Sequence, residues 1–165
     1  MLLRIGVESF FIRNANDWRL PKDALIIPGG ESTAMLKLLR DLSLFDSVRD
    51  AILSGLPVFG TCAGLIMLDS NHLGTMNIEA RRNAYGRQLG SFATDGDFKG
   101  IDRKIPMTFI RAPYIATAGE GVDVLSVVDG RIVAARQGKQ LVTAFHPELN
   151  EDTGVHEYFL GMIRE

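Results

Sequence analysis

Short apolar runs alternate along the first half of the chain with stretches whose apolar residues recur at helical spacing. Glu8–Arg13 reads as a strand, and Ala24–Ile27 as a buried strand stopped by Pro28-Gly29-Gly30. Thr33–Leu42 has helical periodicity, with Ser32 or Thr33 as its N-cap. Phe45–Leu53 continues as a second helical stretch closed by Gly55. Pro57–Gly60 is a strand, and Leu65–Asp69 begins another helix. Alternation of this kind predicts an α/β fold with a largely parallel sheet.

The second half changes period. Met107–Arg111, Val122–Val128, Arg131–Gln137 and Leu141–Phe145 read as strands, and Asp129-Gly130 is a hairpin turn signal. Thr153–Arg164 is an amphipathic helix with Val155, Tyr158, Phe159 and Met162 on one side. The polar, Gly-rich stretch Asn71–Lys104 predicts a surface loop holding one strand around Arg87–Phe92.

Composition narrows the partners. The 165 residues fit a single domain, residues 1–165, with room for a substantial core. Eighteen basic and 20 acidic residues leave a net charge of −2, which gives no electrostatic reason to expect nucleic acid or an anionic membrane. One cysteine makes no internal disulfide, so a reducing, cytoplasmic setting is expected. No apolar run reaches the roughly 18 residues of a membrane span. The apolar start, Met1–Val7, is short and lacks a cleavage-site pattern. Three scattered histidines and one cysteine show no metal-ligand spacing.

Three segments carry candidate chemistry. Gly60-Thr61-Cys62-Ala63-Gly64 follows a strand and opens a helix, as a nucleophile elbow does, with Cys in the place of Ser. The helix N-terminus favours a thiolate at Cys62, and the Ala63 N–H is placed to serve an oxyanion. A buried structural cysteine beside helix-packing glycines is the other reading, and the pentapeptide alone leaves both open. His146-Pro147-Glu148 follows a strand; in extended backbone residues two apart face the same way. His146 then meets Cys62 through one ring nitrogen while Glu148 holds the other. A surface turn is the alternative for a lone HPE. Pro28-Gly29-Gly30-Glu31-Ser32 ends a strand before a helix. A phosphate loop there lacks the lysine and the spacing; an oxyanion hole shared by the Gly30 and Ala63 N–H groups fits better. His72 and His156 read as surface or packing histidines, and Asp95, Asp97, Glu151 and Asp152 as solvated charges.

Taken in order, PGGEST, GTCAG and FHPE resemble the three landmarks of the class I, triad-type glutamine amidotransferases. Arg82-Asn83-Ala84-Tyr85-Gly86-Arg87-Gln88, Phe109-Ile110-Arg111-Ala112-Pro113 and the ending from His146 to Leu160 narrow the likeness. They are similar to the glutaminase subunit of pyridoxal 5′-phosphate synthase, the PdxT/SNO family. The likeness runs from about Ile5 to Met162. It implies a three-layer, flavodoxin-like fold with a mostly parallel sheet. It implies Cys62 as nucleophile, His146 as base and Glu148 as orienter. It places Gly30, Glu31, Ser32, Arg82, Ile110 and Arg111 at the glutamine site. A guanidinium suits the substrate carboxylate and Glu31 its ammonium. The implied partners are L-glutamine and a synthase subunit that takes the ammonia and makes the vitamin B6 cofactor; this chain needs no cofactor itself.

The family's usual opening strand, loop and helix have no counterpart here. Gly6–Gly30 aligns with the later run, which puts Met1 inside the first helix and implies a missing first strand, through a late gene start or a shortened chain. Two other functions compete: an amidotransferase of another pathway, such as histidine biosynthesis, and a non-catalytic glutaminase-like module. RNAYGRQ and FIRAP argue against the first, and the intact Cys62, His146 and Glu148 against the second.

Overall fold

The computed structural model describes residues 1–82 and 91–165. In chain order the elements are α1 (Ala15–Trp18), β1 (Leu25–Ile27), α2 (Ser32–Asp41), α3 (Phe45–Leu53), β2 (Val58–Thr61), α4 (Ala63–Leu68) and β3 (Ile78–Arg81). There follow β4 (Ser91–Phe98), β5 (Ile101–Ile110), β6 (Tyr114–Ala118), β7 (Asp123–Val128), β8 (Arg131–Gln137), β9 (Gln140–Thr143) and α5 (Gly154–Arg164). Short 3₁₀ turns span Leu2–Ile5 and Pro147–Leu149.

Among the described residues the main sheet has seven strands in the order β1-β2-β9-β8-β6-β3, with β7 paired to β8. Parallel pairing is confined to β1, β2 and β9. The rest of the sheet is antiparallel, so it is mixed, less parallel than the sequence alternation suggests. The reason lies in the connections. Helices link β1 to β2, whereas β7, β8 and β9 follow one another through tight turns that reverse direction. The Asp129-Gly130 turn has both residues at positive φ, 51° and 75°, as the predicted hairpin requires.

β2 is buried along its whole length because it is covered on both faces. Alternate side chains point opposite ways. Gly60 faces α4, while Phe59 faces α5, its ring 5.5 Å from those of His156 and Phe159. Helix, sheet and helix make three layers. Val155, Phe159 and Met162 are the buried stripe of α5, and Tyr158 packs edge-on against Phe98.

Several expectations need correction. Residues 8–13 form no strand. Extended backbone holds only when its N–H and C=O groups find partners, and no strand lies alongside among the described residues. Phe10 and Phe11 stay 44% and 78% exposed. Asn14 instead caps α1, accepting from the Asp17 N–H at 2.9 Å while Asp17 accepts from the Arg13 N–H at 2.8 Å. The polar stretch after Asn71 is not a loop. It contains β3, β4 and the start of β5. β4 and β5 make a hairpin with one face in water, where Lys104 pairs with Asp97; Lys99, in the turn between the strands, pairs with Asp123 at the start of β7. Of the strand expected over Arg87–Phe92, only Ser91 and Phe92 lie within the described residues. No helix among those residues is long and apolar enough to cross a membrane.

Candidate active site

The GTCAG segment folds as a sharp turn from β2 into α4. Two glycines allow it. A Cβ on Gly64 would lie 2.0 Å from the Ile27 carbonyl oxygen, and one on Gly60 would lie 2.5 Å from that of Gly64. Helix α4 therefore sits directly on sheet backbone. Between the glycines Cys62 takes φ 52° and ψ −105°, a left-handed φ that non-glycine residues rarely adopt. Its N–H donates to the Thr143 carbonyl at 2.8 Å, tying the turn to the end of β9. The thiol lies 3.9 Å from the Ile110 carbonyl oxygen and is largely buried. Ala63 opens α4, so its N–H belongs to the first turn, which has no acceptors within the helix.

β9 runs parallel to β2 with Thr143 beside Thr61, so both strands end on the same edge. The residues that follow, Cys62 and His146, emerge together there. The His146 N–H donates to the Thr108 carbonyl at 2.8 Å. Its Nδ1 lies 2.7 Å from Glu148 Oε1, and Cys62 is the other group whose proximity acts on the ring. The HPE pairing expected from the sequence is present, but its backbone route differs. Pro147–Leu149 is a 3₁₀ turn led by proline, and Glu148 folds back onto the ring.

These contacts set the charges. The hydrogen bond to Cys62, then that to Glu148, push the His146 pKa up to about 10 against the pull of burial. Burial alone would raise Glu148, but the His146 hydrogen bond and the His146 and His156 charges hold it below its ordinary value. The imidazole is thus a protonated ring between sulfur and carboxylate at neutral pH. His156, buried against Phe59, is pushed down by burial while the Glu148 charge pulls the other way. His72 pairs with the buried Asp69 at 2.7 Å, remote in role from this set.

The six other predicted residues fall into three groups. Arg82, at the end of β3, donates to the Ser32 hydroxyl across 50 positions of sequence. That bond uses the Ser32 side chain, so the N-cap of α2 is neither Ser32 nor Thr33. It is Glu31, whose carboxylate accepts from the Thr33 and Ala34 N–H groups at 3.0 and 2.6 Å. Those backbone bonds hold Glu31 below its usual pKa. Gly30 has φ 149°, a conformation that needs glycine. Ile110 ends β5 with its carbonyl at the thiol, and Arg111 follows with φ 45° and an exposed side chain. Of the RNAYGRQ motif only Arg82 lies within the described residues. The sequence reading missed Thr108 and Thr143, whose carbonyls anchor His146 and Cys62; backbone acceptors leave no side-chain signature. It also treated Asp152 as a solvated charge, whereas Asp152 receives Arg103 in a two-pronged pair and the Gly154 N–H at the start of α5.

A family model of the SNO glutamine amidotransferase family matches residues 2–165. The chain belongs to that family. It is 53% identical to the pyridoxal 5′-phosphate synthase subunit PdxT of Streptococcus pneumoniae serotype 2, over 100% of this chain and 90% of that one. The subunit PdxT of Methanocorpusculum labreanum is 59% identical, over 99% of this chain and 89% of that one. A solved glutamine amidotransferase superposes with a TM-score of 0.92 at 40% identity, covering 99% of this chain and 90% of that one. The structure of PurLQS from Thermotoga maritima shares the fold alone, with a TM-score of 0.69 at 17% identity and 98% and 87% coverage. The fold is accordingly the α/β class I glutamine amidotransferase fold with a mixed sheet, and the activity is that of an amidotransferase acting on the glutamine amide.

Proposed function

We propose that this amidotransferase hydrolyses L-glutamine with a Cys62–His146–Glu148 triad and supplies the ammonia to a synthase subunit making pyridoxal 5′-phosphate. The observation that carries the reading is the convergence of Cys62 and His146 at the ends of β2 and β9, with Glu148 at 2.7 Å from the ring. Cys62 attacks the side-chain amide carbon as the thiolate, its proton already held by His146. The oxyanion is received by the Ala63 and Gly30 N–H groups. His146 gives its proton to the departing nitrogen, and ammonia leaves behind a γ-glutamyl thioester. Acylation removes the thiol partner that contributes most to the raised His146 pKa. The ring then falls toward its ordinary range and takes a proton from water. Hydroxide attack on the thioester returns glutamate, the Cys62 thiolate and the protonated ring, and the new carboxyl group loses its proton to solvent.

Arg82, steadied by Ser32, is assigned to the substrate α-carboxylate, since a guanidinium fits a carboxylate at two points. Ile110 and Arg111 line the approach to the thiol. Glu31 is engaged at the α2 N-terminus, so its part in holding the substrate ammonium is through position at the loop rather than a free carboxylate.

The test is a coupled synthesis with a pyridoxal 5′-phosphate synthase subunit. The expected result is product from glutamine with the wild-type chain, and from ammonium salt alone with Cys62→Ala. A Cys62→Ala chain that still uses glutamine would overturn the proposal, as would a wild-type chain that never does.

A further inference from the structure

The glycines of the PGG segment serve different ends. Gly30 sits at φ 149°, and a Cβ there would meet only the Met35 sulfur at 3.7 Å, so its backbone angle is what demands glycine. Gly29 has no such angle. Its demand is spatial: a Cβ there would lie 2.4 Å from His146 Cε1, 3.2 Å from Nδ1 and 3.4 Å from Nε2. One edge of the imidazole rests on the bare Cα of Gly29.

The ring has nowhere to retreat. Nδ1 is held by Glu148 at 2.7 Å, and the His146 N–H is held by Thr108 at 2.8 Å. Real Cβ atoms essentially never approach within 3.0 Å of another heavy atom, so a methyl group at Gly29 must displace the ring or the loop. Moving the ring breaks its alignment with sulfur and carboxylate. Moving the loop shifts Gly30, assigned above to the oxyanion. We propose that Gly29 is a positioning residue: its missing side chain is the seat that fixes the His146 imidazole between Cys62 and Glu148. The inference rests on the triad reading of those three residues.

The experiment is a double-variant cycle of Gly29→Ala and His146→Ala, read by thermal midpoint, with glutamine hydrolysis measured on the wild type and Gly29→Ala. Gly29→Ala is expected to lower the midpoint in the wild-type background and to leave it unchanged once His146→Ala has removed the ring. Its kcat should fall by about 100-fold, the scale of a 1 Å misplacement, with KM for glutamine little changed. Gly30→Ala, strained by its own φ, should lower the midpoint equally in both backgrounds. If Gly29→Ala lowers the midpoint equally with and without the imidazole, its role is in the backbone and the proposal falls. Wild-type kcat in Gly29→Ala would also overturn it. If Gly29→Ala alone does not fold, folding of the double variant supports the seat, and failure of both contradicts it. The thermal cycle reads the contact without catalysis, so a failure of the triad reading shows separately, as absent hydrolysis beside an intact cycle.

Discussion

Cys62 adopts a backbone conformation that costs about 1–3 kcal/mol in a non-glycine residue. The turn is held by the Thr143 carbonyl and by close packing at Gly60 and Gly64, and it presents sulfur to the edge where β9 delivers His146. At this scale the sequence was legible where the contacting side chains lie close together in the chain. The HPE pairing and the glycines around Cys62 could be read from spacing. The Arg82–Ser32 bond could not, because its partners lie 50 positions apart and nothing local distinguishes Arg82 from its neighbours. Glu148→Gln keeps the shape but removes the charge that holds the imidazolium. Its kcat should fall by about 10³- to 10⁴-fold, as in other triads whose orienting carboxylate is made neutral; steady-state ammonia release is the check. Arg82→Ala should mainly raise KM for glutamine, because a carboxylate contact far from the reacting amide is made in ground and transition states alike. A fall in kcat with unchanged KM would place Arg82 elsewhere in the mechanism.

Among the elements, legibility followed burial. β2 and β9, closed in on both sides, announced themselves as apolar runs. β4 and the first half of β5 did not, because their hairpin has one face in water and reads as polar, whereas the apolar second half of β5 was legible in Met107–Arg111. Residues 8–13 failed in the opposite sense: their apolar content suits a strand, but a strand also needs a neighbour to bond. The seat of α4 on β1 makes a prediction of its own. Gly64→Ala forces a methyl group against the Ile27 carbonyl at 2.0 Å, with backbone on both sides and no flexible side chain to yield. Overpacking of this kind costs about 1–3 kcal/mol. Chemical denaturation should show that loss, and the displaced elbow should lose activity as well. An unchanged denaturation midpoint would mean the helix slides without penalty.

For the molecule as a whole, the triad links stability to pH. His146 is raised from 6.5 to about 10, so the folded state holds its proton more tightly than the unfolded chain. The stabilisation is therefore complete below pH 6.5 and is lost as pH rises through about 10. Glu148 is lowered from 4.5, so its share is present above pH 4.5 and disappears as pH falls further. The thermal-midpoint advantage of wild type over His146→Ala should be greatest between pH 4.5 and 6.5 and shrink toward alkaline pH. An advantage that grows with pH would contradict the protonated ring. The central claim is that Cys62 sulfur is the nucleophile, and ammonia release from glutamine by Cys62→Ala, measured beside wild type with the synthase subunit present, tests it most directly. The account predicts a loss of at least about four orders of magnitude in kcat. Hydrolysis by Cys62→Ala within tenfold of wild type would contradict it.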